Sequence, residues 1–202
     1  MRYGLHLNGP TLLMYSETQM ANHVDNFLKV TGNHACMTEF SRIFEELSEQ
    51  EPIQNARFLP EWDGDDYPSR DWMEDYIGPK WANVDYYEEG NDFVSITSAW
   101  CSIFPFTKNL ARHLMDFDPK VRIELTYIDE FINFAGCAVW ANNDWDVEEE
   151  DHKYFEKMWL VLDGLDFEHE DHDHWEYRDM VNEEIANWAC EMAFGMEVNI
   201  DD

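Results

Sequence analysis

The densest cluster of chemically capable side chains in this chain is Glu168-His169-Glu170-Asp171-His172-Asp173-His174-Trp175-Glu176. Imidazole nitrogens and carboxylate oxygens both ligate divalent metals, and on a helix His169 with Asp173, or Glu170 with His174, would share a face. The spacing matches no established ligand pattern such as H-E-x-x-H, and the opposing reading is a solvated acidic loop whose histidines soften its charge. His169, His172 and His174 therefore stand as the alternative metal set, while the primary expectation is no cofactor. Asp144-x-Asp146-x-Glu148 has the opening spacing of a calcium loop but lacks the glycine at the sixth position and the closing glutamate. Nucleophilic catalysis has little support, because G-x-S-x-G, a Gly-rich phosphate loop and a Gly-Lys-Ser/Thr element are all absent. The expectation is a protein that is not an enzyme.

Charge is the stronger signal. The 202 residues carry 13 Lys+Arg against 44 Asp+Glu, a formal net charge of -31. Such an excess raises the free energy of a compact state unless salt screens it or a partner uses the field. Disordered acidic segments are poor in aromatics, yet this chain is 15% aromatic with 9 Trp, so a folded anionic body is expected. Residues 144–202 contain 21 acidic and 3 basic residues. Glu148, Glu149, Glu150 and Asp151 read as the first turn of a helix, where each acid favours the positive end of the macrodipole by about 0.3–1 kcal/mol. Asp163, Asp166, Glu168, Glu170, Asp171, Asp173, Glu176, Asp179, Glu183 and Glu184 continue the excess with few lysines to pair them. Acids one helical turn apart lie about 5–6 Å from each other and repel in the absence of a partner. A cationic groove would relieve that repulsion, so these fourteen carboxylates are the candidate partner-binding set. Direct binding of nucleic acid or of an acidic membrane surface is disfavoured by the same charge.

The elements that must position them follow from periodicity. Val24, Leu28 and Val30 alternate with polar positions in a strand from His23 to Val30. Met37, Phe40, Ile43, Phe44 and Leu47 then recur at helical spacing between about 33 and 48. Pro52, Pro60, Gly64 and Pro68 mark a loop, after which Ser69 caps a short helix through Tyr76. Val84–Tyr87 and Phe93–Ser98 flank a turn at 88–91, and Thr107–Phe117 reads as a helix with Leu110, Leu114 and Phe117 inside. Val121–Tyr127 alternates strictly, and Phe134–Trp140 supplies one more strand. The order predicts an α+β fold, a ferredoxin-like split βαβ (βαββαβ plus an edge strand). Two stripes beyond it, Phe155/Met158/Trp159/Leu162 and Tyr177/Val181/Ile185/Trp188/Met192, predict two appended acidic amphipathic helices with a loop at 163–173 between them. The expected organisation is an N-terminal extension over 1–19, a ferredoxin-like domain over 20–142 and an acidic helical module over 143–202 packed on it. Cys36, Cys101, Cys137 and Cys190 contain no C-x-x-C pair and read as small core residues of a reducing cytoplasm. No run long enough for a membrane span is present. Trp62, Trp72, Trp81 and Trp100 have the chemistry to stack a ligand, with core packing as the plainer use for most of them.

Several segments carry a family resemblance. Met20-Ala21-Asn22-His23-Val24-Asp25-Asn26 with Val30-Thr31-Gly32, Gly78-Pro79-Lys80-Trp81, Thr97-Ser98-Ala99-Trp100 before Pro105, and Tyr127-Ile128-Asp129-Glu130 with Phe134-Ala135-Gly136 resemble the YubB-type domain of plasmid and phage proteins. Ile77 stands where that pattern has a tryptophan. The resemblance covers about 20–142 and implies a ferredoxin-like fold and a mobile-element origin, with Met20 as a possible translation start; it transfers no active site. Charge and resemblance together predict a phage-encoded anti-defence protein in the host cytoplasm that mimics nucleic acid. Its partner would be the cationic DNA- or RNA-binding channel of an immune complex, a CRISPR effector or a restriction enzyme. The opposed readings are the histidine metal site and a phage structural or interaction protein whose charge serves only solubility.

Overall fold

The structure, a computed structural model, describes residues 22–48, 52–62, 67–151, 153–155 and 174–198, with side chains in the last segment described at 178–189 and 191. Six strands form one sheet: β1 (His23–Thr31), β2 (Ala82–Tyr87), β3 (Phe93–Ala99), β4 (Arg122–Asp129), β5 (Phe134–Ala141) and β6 (Asp144–Asp151). Their spatial order is β2-β3-β1-β4-β5-β6, and every neighbouring pair is antiparallel. Helix α1 (His34–Ser48) follows β1, α2 (Arg70–Tyr76) precedes β2, α3 (Phe104–Leu114) links β3 to β4, and α4 (His174–Val198) follows the sheet. The molecule is thus α+β. No described helix is long and apolar enough to cross a membrane.

Both faces of the sheet are used. Val24, Leu28 and Val30 of β1, Val94 and Ile96 of β3, and Ile123 and Leu125 of β4 point to one face. There they share a core with Phe40, Ile43 and Phe44 of α1 and Phe106, Leu110 and Leu114 of α3. Each large apolar side chain fully buried in this way stabilises the fold by about 1.5–3 kcal/mol. On the opposite face Ile128 and Ala135 pack with Val181 and Ile185 of α4, and Cys137 and Val139 pack with Ala189. Among the polar residues of the core, Asn26, fully buried, donates to the carbonyls of Val24 and Ile96 and accepts from the Ile103 amide at 3.0 Å. A buried amide is tolerated only when its groups are paired, and here the pairing fixes the chain leaving β3.

Most element boundaries follow the sequence. Ser69 caps α2 by accepting from the Trp72 amide, and Asn33 caps α1 by accepting from the Cys36 amide. Three expectations need correction. The third helix starts at Phe104 with Pro105 in its first turn, where the missing N–H costs nothing, and it ends at Leu114. Phe117 therefore lies beyond the helix and is exposed rather than inside. The strand after β4 is interior rather than an edge, because β6 pairs along its whole length. Finally, Glu148–Asp151 belong to that sixth strand and begin no helix.

Candidate functional site

The strand that replaces the expected helix start is the most acidic described element. Asn142 and Asn143 both adopt left-handed backbone, with φ of 53° and 66°. Asparagine tolerates that region, and two such residues make the tight turn that twists with a hairpin. The chain returns along β5 with Ala141 opposite Asp144 and Ala135 opposite Glu150. Pleating puts Trp145, Val147, Glu149 and Asp151 on the α1/α3 face and Asp144, Asp146, Glu148 and Glu150 on the α4 face. Trp145 anchors the strand, 5.3 Å from the Trp140 ring and 5.1 Å from Phe104. Close approach at Gly136 completes the pairing: a Cβ there would stand 2.5 Å from the Glu148 carbonyl oxygen and 2.7 Å from the Tyr127 hydroxyl oxygen. That hydroxyl donates to Glu149 Oε2 at 2.8 Å. Burial, then the Glu149 charge, push the Tyr127 phenol up, which keeps it a donor.

Six of the eight β6 residues are carboxylates, and none is basic. At a rise of about 3.4 Å per residue they occupy roughly 27 Å, one negative charge per about 4.5 Å. A nucleic-acid strand carries one phosphate per about 3.4 Å of duplex axis, so the linear charge densities are comparable. Among the described residues no strand pairs with the outer side of β6.

Helix α4 adds to the same face. Arg178, nearly buried, docks it: Nη2 donates to Asp25 Oδ2 at 2.5 Å, and Nη1 donates to the carbonyls of Asp129 at 3.0 Å and Glu130 at 3.3 Å. Trp188 packs against Tyr154 and Phe155, with ring centroids 5.6 and 6.0 Å away. The turn that receives the helix holds Ile132 at φ 55°. For a β-branched residue that conformation is strained. Asp129 Oδ2 accepts from the Phe131 and Asn133 amides to hold it, and the Ile132 side chain is buried in the α4 cluster. Asp179 and Glu183 are exposed on α4 and Glu184 is half-buried. Burial, then the charges of Glu184, Glu150 and Glu148, push the Tyr154 phenol up. The same combination of burial and the Glu148 charge pushes the Cys137 thiol up to about 12. Carboxylates of β6 and α4 thus converge on one surface.

Of the residues singled out from sequence, Glu148, Glu149, Glu150 and Asp151 lie on β6 and Asp179, Glu183 and Glu184 on α4. His174 and Glu176 fall in the first turn of α4. Asp163, Asp166, Glu168, His169, Glu170, Asp171, His172 and Asp173 lie outside the described residues. The first C-terminal stripe is described only at Phe155, which is fully buried. In the second, Val181 and Ile185 are buried. Sequence reasoning missed Asp144 and Asp146 as part of the acidic surface. The signal was present in the Asn-Asn turn and in Trp145 and Val147 alternating with acids. Comparison with known proteins gives no family model, no curated protein and no solved structure that matches this chain.

Proposed function

We propose that this chain is a phage-encoded anti-defence protein that works in the host cytoplasm by mimicking nucleic acid. It occupies the cationic DNA- or RNA-binding channel of a host immune complex, a CRISPR effector or a restriction enzyme. The observation that carries this reading is β6, an extended strand with six carboxylates in eight residues at the end of the sheet. Its charge is rigidly displayed, because Trp145 and the Tyr127–Glu149 hydrogen bond fix the backbone. A pre-organised array loses little entropy on binding, and its field steers association with a basic groove. Membership of the YubB-type family and the ferredoxin-like split βαβ plan belong to the same proposal. The strand order β2-β3-β1-β4, with α1 and α3 sharing one core, supports that plan.

The test is competition. Purified CRISPR effectors and restriction enzymes are titrated with the protein while their nucleic-acid occupancy is followed by fluorescence anisotropy at low and at physiological salt. Displacement that weakens steeply with salt is expected, since each neutralised phosphate-like contact contributes to the salt slope. The triple variant Asp146→Asn, Glu148→Gln, Glu150→Gln should displace less while folding at least as well, because it removes like-charge repulsion about 6.8 Å apart along one strand face. Displacement indifferent to salt and to neutralisation would sink mimicry and leave an interaction protein.

A further inference from the structure

Four segments, residues 67–68, α2, residues 78–80 and residues 99–101, close around a cavity of about 550 Å³. That volume is in the range of small-molecule sites. Its construction starts at Gly78, which has a φ of 101° and lies so near the α3 entry that a Cβ would sit 2.9 Å from Pro105 Cδ and from the Ser102 carbonyl oxygen. Only glycine fits there, and the tight passage brings Lys80 beside the end of β3. The Ala99 amide donates to the Trp81 carbonyl at 3.1 Å and the Trp100 amide to the Asn22 carbonyl at 2.9 Å. Asn26 and Ser98 pin the other side of the turn, the Ser98 hydroxyl donating to the Cys101 carbonyl.

Trp100 is the unusual residue in this frame. Its φ is 69°, yet the position carries an indole that is 46% exposed and lines the cavity. A bulky side chain rarely enters that backbone region, which glycine enters freely. Strained residues of this kind concentrate at ligand sites. The rest of the lining is mainly apolar, with the Tyr67 ring held across it by a hydrogen bond from its hydroxyl to the Lys80 carbonyl at 3.0 Å.

The charges of the lining are unlike those of the body. Arg70 Nε lies 2.6 Å from Glu74 Oε1, so these two cancel. Lys80 is left as the net charge, its Nζ 5.6 Å from the centre of the Trp100 indole and in no ion pair among the described residues. Burial, then the charges of Glu149 and Glu74, push the Cys101 thiol up, so no thiolate competes for the ammonium. A ligand with several negative charges would meet the field of a chain at -31. A single anionic group at Lys80 gains that contact while adding the least repulsion from the surrounding carboxylates.

We propose that this cavity binds a small aromatic carboxylate, with the ring packed on Trp100 and the single anion held by Lys80. Three probes of one shape and different charge test it by calorimetry on the full chain: indole-3-acetate, indole-3-acetamide and tryptamine. Indole-3-acetate is expected to bind best, on the order of fivefold above the amide, which is the size of a solvent-accessible ion pair. In Lys80→Gln that preference should vanish. Trp100→Gly relieves the backbone and so keeps the fold, verified by thermal unfolding, while weakening all three probes. Tryptamine binding tightest, no acetate binding at millimolar concentration, an acetate preference that survives Lys80→Gln, or undiminished binding in Trp100→Gly each overturns the proposal.

Discussion

Replacing Arg178 with Met is expected to loosen α4 from the sheet and to cost about 2 kcal/mol, the size of one hydrogen bond from a charged donor. The methionine keeps most of the hydrocarbon stem, so the loss is confined to the guanidinium and its three hydrogen bonds. A hydrogen bond involving a charged group contributes about 1.5–3 kcal/mol, and a buried partner left stranded adds its own desolvation penalty. Little is stranded here: the Asp129 carbonyl keeps a bond from the Ile132 amide at 2.9 Å, and the Asp25 side chain is 40% exposed and can rehydrate. The cost therefore falls below the roughly 3–5 kcal/mol of breaking a fully buried pair. For a chain of this size about 2 kcal/mol lowers the melting temperature by about 4–8 °C. Urea unfolding gives the free energy, and hydrogen exchange of amides 178–189 locates it, with Asp25→Asn as the reciprocal half of a double-mutant cycle. A loss below about 0.5 kcal/mol, the range of an ordinary surface substitution, or unchanged protection in α4, refutes the claim that this arginine docks the acidic helix.

Glu39 gives a pH signature. Burial acts to raise its carboxyl, but hydrogen bonds from Arg42 and His113 outweigh it and hold the group below its ordinary value of 4.5. A depressed carboxyl adds stability above the unfolded value and loses it as pH falls through the folded one. Glu39→Gln should be less stable than the parent by about 1–2 kcal/mol at neutral pH, with the gap closing once the solution is more acidic than that ordinary value. A gap that stays constant from neutral to strongly acidic pH in urea titrations contradicts the assignment. At Gly136 the crowding falls on backbone, so Gly136→Ala should cost about 3 kcal/mol and push β6 off β5. Unchanged stability together with intact β6 amide protection would show that the strand does not depend on that close approach.

Elements whose information is local were legible in the chain before any fold was known. Alternation in Val24–Val30 and Val121–Tyr127, the helical stripe from Met37 to Leu47 and the Ser69 cap each act over a few residues, and the corresponding elements form where expected. The anionic character of the molecule is equally a property of composition. Long-range pairing settled the fate of Asp144–Asp151 instead. Acids disfavour strands by propensity and favour helix N-termini, so the run Glu148–Asp151 pointed to a helix, against the Asn-Asn turn and the Trp145/Val147 alternation that precede it. Pairing with β5 overrode it, because Trp145 gained Trp140 and Phe104, Glu149 gained the Tyr127 hydroxyl, and the turn at Asn142-Asn143 set the register. Those partners belong to β5, α3 and β4, and they become neighbours of the strand only when the sheet forms. The cavity at Trp100 was hidden for the same reason. A tryptophan looks like core in the sequence, and only the contacts of its turn with Asn22, Asn26 and Gly78 hold this one in left-handed backbone with its ring toward solvent.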